Sequence, residues 1–444
     1  MKRLKGISFP LETDRFASAE IENIPLPERV ILPLVTRFGE MIPIVSPGDH
    51  VQAGQPIAKG PQKWLPPLIA SVSGRVSTVA SWPTASGNEG PALLIESPEK
   101  DTPPPRDVVP QEDLHEIMRW IQAGDIREVD PSPMPLALRL RKPDLIPSTF
   151  APFSPALEKP IHSLIINGID RQPGVWLRKA MIRLYATEIL ESIPLLKDTT
   201  GASRIFFAVS KGAELANEFL QGLRKHGAEP VFCPNLYPVG LEPLLVPFLT
   251  GQELPPNSGG AREFGTVVVD VATALKVRGA ARGEIPSLDV VVQVTAPSSG
   301  IDTLVRVREG TLIEDILASL SLSKQGLAKV LCGGPLLGTA LHRLDVPVTQ
   351  EIDSIVLQTE QEIIHYSNEP CMNCGYCVRH CPMKLLPNEL SKNCEYGKFD
   401  AAERLDIFSC IECGICSYVC PVNRPMVQLI CFGKREIEAA RKVS

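Results

Sequence analysis

The stretch Cys371-Met372-Asn373-Cys374-Gly375-Tyr376-Cys377-Val378-Arg379-His380-Cys381-Pro382 decides how the chain is read. Its cysteine spacing returns in Cys410-Ile411-Glu412-Cys413-Gly414-Ile415-Cys416-Ser417-Tyr418-Val419-Cys420-Pro421. Three thiolates on one tight loop wrap three irons of a cubane, and in two-cluster ferredoxins the fourth cysteine of each run ligates the other cluster. That rule predicts Cys371, Cys374, Cys377 and Cys420 on one [4Fe–4S] cluster, and Cys410, Cys413, Cys416 and Cys381 on the second. Zinc also takes Cys-x-x-Cys pairs, but its sites close with four ligands in two pairs, and neither run is built so. Gly375 and Gly414 follow the second cysteine of each run, where backbone must pass close to sulfide. Because such clusters pass single electrons, the spacing predicts an electron-transfer protein.

Around this stretch the cysteines are unevenly spread. Of the 12, Cys233 and Cys332 stand alone and the other ten fall between Cys371 and Cys431. Such clustering favours metal over a disulfide scaffold. Cys394 and Cys431 lie outside both runs and read as structural. The 28 residues between Cys381 and Cys410 look helical and exceed the connection of a compact bacterial ferredoxin, so an α-helical ferredoxin domain is expected over 360–444. His342 and His380 read as structural or surface residues, since the cysteine sets are complete without them.

Upstream, the chain is long enough at 444 residues for two to four domains. Its net charge of −6 shows no nucleic-acid footprint. No apolar run is long enough to span a membrane, and Met1-Lys2-Arg3-Leu4-Lys5 is not followed by the apolar stretch of a signal peptide. The expected location is therefore cytoplasmic, with any membrane contact through partners. Turn signals at Pro47-Gly48-Asp49, Ala53-Gly54 and Ser73-Gly74 predict a small all-β unit over 1–100. Its Gly48-to-Gln55 and Ser73-to-Val76 arrangements resemble the barrel-sandwich fold of biotinyl and lipoyl carriers. Lys63 falls near their carrier position, but its neighbours Gln62 and Trp64 fit neither modification site, so it reads as a surface lysine.

Residues 101–113 read as a proline-rich linker, followed by a helix over Gln111–Ala123 and a second proline-rich stretch from Pro131 to Pro160. From Ser163 strands alternate with helices: strands at Leu164–Ile166, Ile205–Val209, Pro230–Cys233 and Val267–Val271, helices at Trp176–Leu190 and Glu214–Lys225. That alternation predicts a three-layer domain with a mainly parallel sheet. A smaller α+β unit follows, with strands Asp289–Thr295, Thr303–Arg308 and Lys329–Cys332 and a helix Leu312–Ser319. The whole is an α/β multidomain chain. Gly333-Gly334 reads as a tight turn rather than a phosphate loop.

Both cysteine runs with their flanks, Gly333-Gly334-Pro335-Leu336-Leu337-Gly338, Asp345-Val346-Pro347-Val348-Thr349, Tyr237-Pro238-x-Gly240 and Thr250-Gly251-Gln252-Glu253 resemble the RnfC family of the Rnf electron-transport complex over nearly the whole chain. The resemblance implies a barrel-sandwich domain over 1–100, a complex-I flavin-subunit-like α/β domain over 110–285, a β-grasp domain of the SLBB type over 287–350, and the ferredoxin-like domain over 360–444. It also implies membrane partner subunits, a protein electron donor or acceptor such as ferredoxin, and peripheral association with the inner cell membrane. In that family the flavin domain holds FMN and reacts with NAD(H).

Two departures set this chain apart. Where the family carries a glycine-rich loop that cradles FMN, it reads Arg127-Glu128-Val129-Asp130-Pro131-Ser132-Pro133-Met134-Pro135. Pro131 and Pro133 lack the amide hydrogen, and Glu128 and Asp130 would repel a phosphate. The family's Glu-x-Glu-Pro becomes Asp170-Arg171-Gln172-Pro173. The leading expectation is thus a relay subunit without an FMN/NADH site. Its alternative is an FMN-dependent NADH dehydrogenase subunit with a rebuilt flavin site. A third reading is a binding module whose β-grasp unit holds a quinone or corrinoid beside redox-sensing clusters.

Overall fold

A computed structural model describes residues 5–9, 20–62, 64–96, 113–130, 132–146, 157–256, 258–285 and 287–443. Lys63, Pro131 and nearly all of the 101–113 linker lie outside these residues. The N-terminal unit packs the four-stranded sheet of Arg29–Pro33, Glu89–Glu96, Gly74–Pro83 and His50–Val51 against the three short strands Ile42–Pro43, Pro56–Lys59 and Leu68–Ile69. Val30, Leu32, Val51, Ile57, Val76, Leu93 and Ile95 fill the space between them. Alternating exposure along Gly74–Pro83 marks it as a strand with one wet face.

In the α/β unit four strands run parallel in the order Ala228–Cys233, Arg204–Ser210, Ser163–Asn167, Thr266–Asp270. Ser163–Asn167 and Thr266–Asp270 are buried at every position, as a strand covered by helices on both faces must be. The chain leaves Ser163–Asn167 toward one side and returns on the other at Thr266–Asp270. The winding therefore reverses between Asn167 and Asp270, the topological switch point of such a sheet.

Several sequence expectations shift here. The helix expected over Trp176–Leu190 is two, Leu177–Leu184 and Ala186–Thr200, broken at Tyr185. The second runs a full turn and more past Leu190, because its apolar side continues through Ile193 and Leu196 into the core. Thr266–Asp270 stops one residue early, since Asp270 caps the helix Val271–Ala281 by accepting from Thr273 N at 2.6 Å. The proline-rich stretch carries a buried turn of helix, Leu136–Arg139.

The next sheet has six strands and draws on distant parts of the chain, in the order Ile21–Asn23, Ile301–Arg308, Asp289–Ala296, Ser354–Thr359, Leu327–Cys332, Thr339–Leu341. Ile21 pairs with Leu304 and Asn23 with Arg306, so residues ahead of the sandwich are tied into this sheet. The helix Ile313–Ser319 buries Ile313, Ile316 and Leu317 against it, giving the β-grasp arrangement.

At the C-terminus short helices surround the cysteine loops, and Met426–Val443 packs along Pro387–Glu395. Gly433 faces Cys394, which is fully buried; a Cβ at 433 would lie 2.2 Å from its sulfur. Cys394 is thus a packing residue. Gly433→Ala should destabilise by about 1–3 kcal/mol through overpacking, against the usual helix preference for alanine. Thermal unfolding of the single and double variants checks this: in a Cys394→Ala background most of the loss should vanish.

Candidate iron–sulfur sites and the crevice beside them

The two cysteine loops share one backbone design. Left-handed residues stand at Asn373, Gly375 and Lys384 in the first, and at Glu412, Gly414 and Asn423 in the second. Non-glycine residues enter this region at a cost. Its repetition at matching positions marks both loops as shaped to turn backbone amides inward. Glu412 N donates to Cys410 Sγ at 3.4 Å and Arg424 N to Cys420 Sγ at 3.5 Å. Such donors lower the electron density on a ligating sulfur.

Cys371, Cys374, Cys377 and Cys420 line one cavity, with Asn388 and Met426 closing its sides. One wall of the first run's cavity is therefore supplied by the second run. Cys381 lies within electrostatic reach of the other three, Cys410, Cys413 and Cys416. Burial pushes Cys413 up to about 12 and Cys416 well above the ordinary thiol range, with neighbouring thiols adding to the rise. For Cys410 burial also raises the value, and Lys434 is the main opposing influence. Buried thiols become thiolates when a metal supplies the compensating charge. All 12 cysteines are unpaired as disulfides, so the donor set is available. Among the described residues no three His, Cys, Asp or Glu side chains gather as a single bound ion requires. A cubane differs, since each thiolate binds its own iron. The residues fit two clusters.

The two loops differ in setting. The first is exposed, with Met372 61% accessible and Tyr376 stacked beneath Arg379 at 4.5 Å. The second is packed against the rest of the chain. Tyr237 Oη donates to Cys413 O at 2.6 Å, and Leu336 O lies 3.0 Å from where a Cβ at Gly414 would stand. Leu336 is held in turn by Gln172, whose Oε1 accepts from Leu336 N at 2.8 Å and Leu337 N at 3.0 Å. Nothing in the sequence pattern pointed to Tyr237 and Gln172 as the residues that seat this loop. His380 Nδ1 lies 2.9 Å from Tyr376 O, and His342 is exposed. Cys431 is not a plain core cysteine, because its thiol meets the Glu412 carboxyl at the second loop.

The switch point of the parallel sheet is filled by the protein's own charges. Arg178, 5% accessible, lies 3.1 Å from Asp270 and 2.5 Å from Asp130. Arg171 adds contacts of 2.8 Å to Asp130 and 3.4 Å to Asp353. Glu128 pairs with Arg139, which also donates to Val268 O at 2.8 Å. Arg127 pairs with Asp125 and Glu309. Burial would raise the Asp130 carboxyl, but Arg178 and Arg171 outweigh it and hold it below the carboxylate range. Asp170 accepts from Arg178 N at 2.9 Å and so anchors a helix start. The acids of residues 128–130 and 170 are thus committed to protein partners, and this loop does not fit an FMN phosphate. Beside it a cleft of about 1030 Å³ runs from Asp130 and Arg171 past Leu336 to Gly414 and Tyr418 of the second cysteine loop.

Two measurable consequences attach to these charges. Arg178→Met should cost about 3–5 kcal/mol, because it takes the guanidinium from the buried Asp270, while Asp130 keeps Arg171; chemical denaturation of the full chain reads it. Burial, opposed by Arg127 and reinforced by Glu309, pushes the Asp125 carboxyl from 3.8 up to about 7. Between those values the folded chain keeps a proton that the unfolded chain has lost, so this group's stabilising contribution falls as pH rises through that window. Asp125→Asn suits the left-handed backbone there and removes the dependence. Its melting temperature relative to the parent should climb from pH 4 to pH 8.

Comparison with known proteins follows the same division. The RnfC barrel sandwich hybrid domain family matches residues 2–100, the Nuo51 FMN-binding domain family 148–279, and the 4Fe-4S dicluster domain family 362–421. The second match begins beyond residues 127–135. The chain is 29% identical over 434 residues to the C subunit of an ion-translocating oxidoreductase complex of Rhodobacter capsulatus, covering 95% of this chain and 80% of that one. It is 26% identical over 452 residues to the C subunit of a proton-translocating ferredoxin:NAD(+) oxidoreductase complex of Clostridium ljungdahlii, covering 99% and 95%. The C subunit of a Na(+)-translocating ferredoxin:NAD(+) oxidoreductase complex of Acetobacterium woodii is 26% identical over 444 residues, covering 98% and 97%.

Proposed function

Because the chain belongs to the RnfC family of ion-translocating oxidoreductase components, we propose that it is an iron–sulfur relay subunit that does not itself oxidise NADH. Cys371, Cys374, Cys377 and Cys420 would hold one [4Fe–4S] cluster, and Cys410, Cys413, Cys416 and Cys381 the second. When bound, the clusters supply one-electron chemistry. The chain's own residues give the relay an inside and an outside. Tyr237, Leu336 and Gln172 hold the second loop against the α/β and β-grasp units. The first loop, with exposed Met372 and Tyr376, faces outward, where a protein electron carrier such as ferredoxin would dock.

The observation that carries the NADH-free reading is the ion-pair network at the switch point, where Glu128 and Asp130 take arginine partners in place of a phosphate cradle. No described helix is long and apolar enough to cross a membrane, so contact with an inner membrane would come through partner subunits. The 1030 Å³ cleft favours one alternative, an FMN-dependent NADH dehydrogenase subunit whose flavin lies away from residues 127–135. For domain limits we propose 1–100, 110–285, 287–350 and 360–444, with Ile21–Asn23 and Ser354–Thr359 lent to the β-grasp sheet.

Anaerobic purification with iron, sulfide and flavin quantified together, followed by an NADH titration watched by EPR, separates the two readings. About eight irons per chain, no flavin and no reduction by NADH are expected. One FMN per chain with clusters reduced by NADH would overturn the NADH-free reading.

A further inference from the structure

The C-terminal helix Met426–Val443 sends one cation into the second cysteine loop. Lys434 Nζ donates to Cys410 O at 2.6 Å and meets Glu412 Oε1 at 2.7 Å. Two acceptors fix the ammonium beside a proposed cluster ligand, and its side chain is only 13% accessible. Its partner carboxylate is 45% accessible, so water screens Glu412 more than Lys434. The pair therefore leaves a net positive field on the cluster side. In the first loop the residue matching Glu412 is the neutral Asn373. The one matching Lys434 is Glu395, which pairs with Arg424 at 2.5 Å. The first loop thus has no lysine in the corresponding place.

Resting on the ligand reading above, we propose that Lys434 is a positioning residue that raises the reduction potential of the cluster held by Cys410, Cys413, Cys416 and Cys381. Reduction adds one negative charge to that cluster. A fixed ammonium in a poorly solvated position stabilises the reduced form more than the oxidised one, and charge near the sulfurs is among the factors that set such potentials. Glu412, held by Lys434 and touched by the Cys431 thiol, acts in the opposite sense.

The test is an EPR-monitored redox titration of the full chain carrying both clusters, with iron quantified in each variant. Lys434→Gln removes the charge and should shift one cluster's midpoint to more negative potential, leaving the other unmoved. Lys434→Arg should keep the parent value. Glu412→Gln should shift the same cluster positively, and it decides the matter if the lysine variant does not load. Two cluster signals that neither Lys434→Gln nor Glu412→Gln moves would overturn the proposal alone, as would an equal shift in Lys434→Arg. Fewer than two cluster signals in the parent would overturn the ligand reading and the proposal with it.

Discussion

The pairing of Arg178 with Asp130 and Asp270 is the constraint on which the middle of the molecule depends. Asp270 and the Arg178 guanidinium are buried together with Asp130 at their edge, and removing Arg178 would leave the Asp270 carboxylate without its guanidinium in the interior. Because the three come from a loop, a helix and a strand end, their pairing fixes the loop 125–130 over the sheet. Arg171 extends the constraint from Asp130 to Asp353 of the β-grasp unit, and Gln172, next in sequence, seats the Gly333–Leu337 turn. That turn in turn meets the second cysteine loop at Gly414. A chain of contacts thus runs from the switch point of the sheet to the inner cysteine loop.

This arrangement answers a question posed by the fold. Parallel sheets of this type offer a ligand crevice outside the carboxyl ends of their strands, with bare amides at a glycine-rich turn. Here the crevice at the Asn167–Asp270 boundary is occupied by side chains from the chain itself. Buried ion pairs add little net stability compared with apolar packing of the same volume. Their more evident effect is on what the site will accept: a phosphate would have to displace carboxylates already bound to arginines.

Much of this was legible in the sequence, for identifiable reasons. The proposed ligand sets rest on spacing that the geometry of a cubane imposes, so the candidates from Cys371 to Cys381 and from Cys410 to Cys420 come from the sequence alone. Buried parallel strands such as Leu164–Ile166 announce themselves as unbroken apolar runs. The negative charges at Glu128 and Asp130 could be seen to oppose a phosphate, but their partners could not. Arg178 sits in a helix whose apolar spacing spoke only of packing, and Arg139 lies in a proline-rich stretch where no helix was expected. The break at Tyr185 was invisible because apolar positions continue through it. Tyr237, Leu336 and Lys434 lie far from the cysteines in sequence or look like ordinary helix residues, and only the folded chain brings them to the second loop.

Cys420, from the second run, walls the cavity that Cys371, Cys374 and Cys377 begin. This crossing imposes an order on biogenesis. A nascent chain that has emerged only through Pro382 carries three of the cavity's cysteines and lacks the fourth, so the first site stays unfinished until translation has passed residue 420. Loading of the proposed ligand set would then wait for both runs, and a ribosome that stalled between them would leave thiols without a destination.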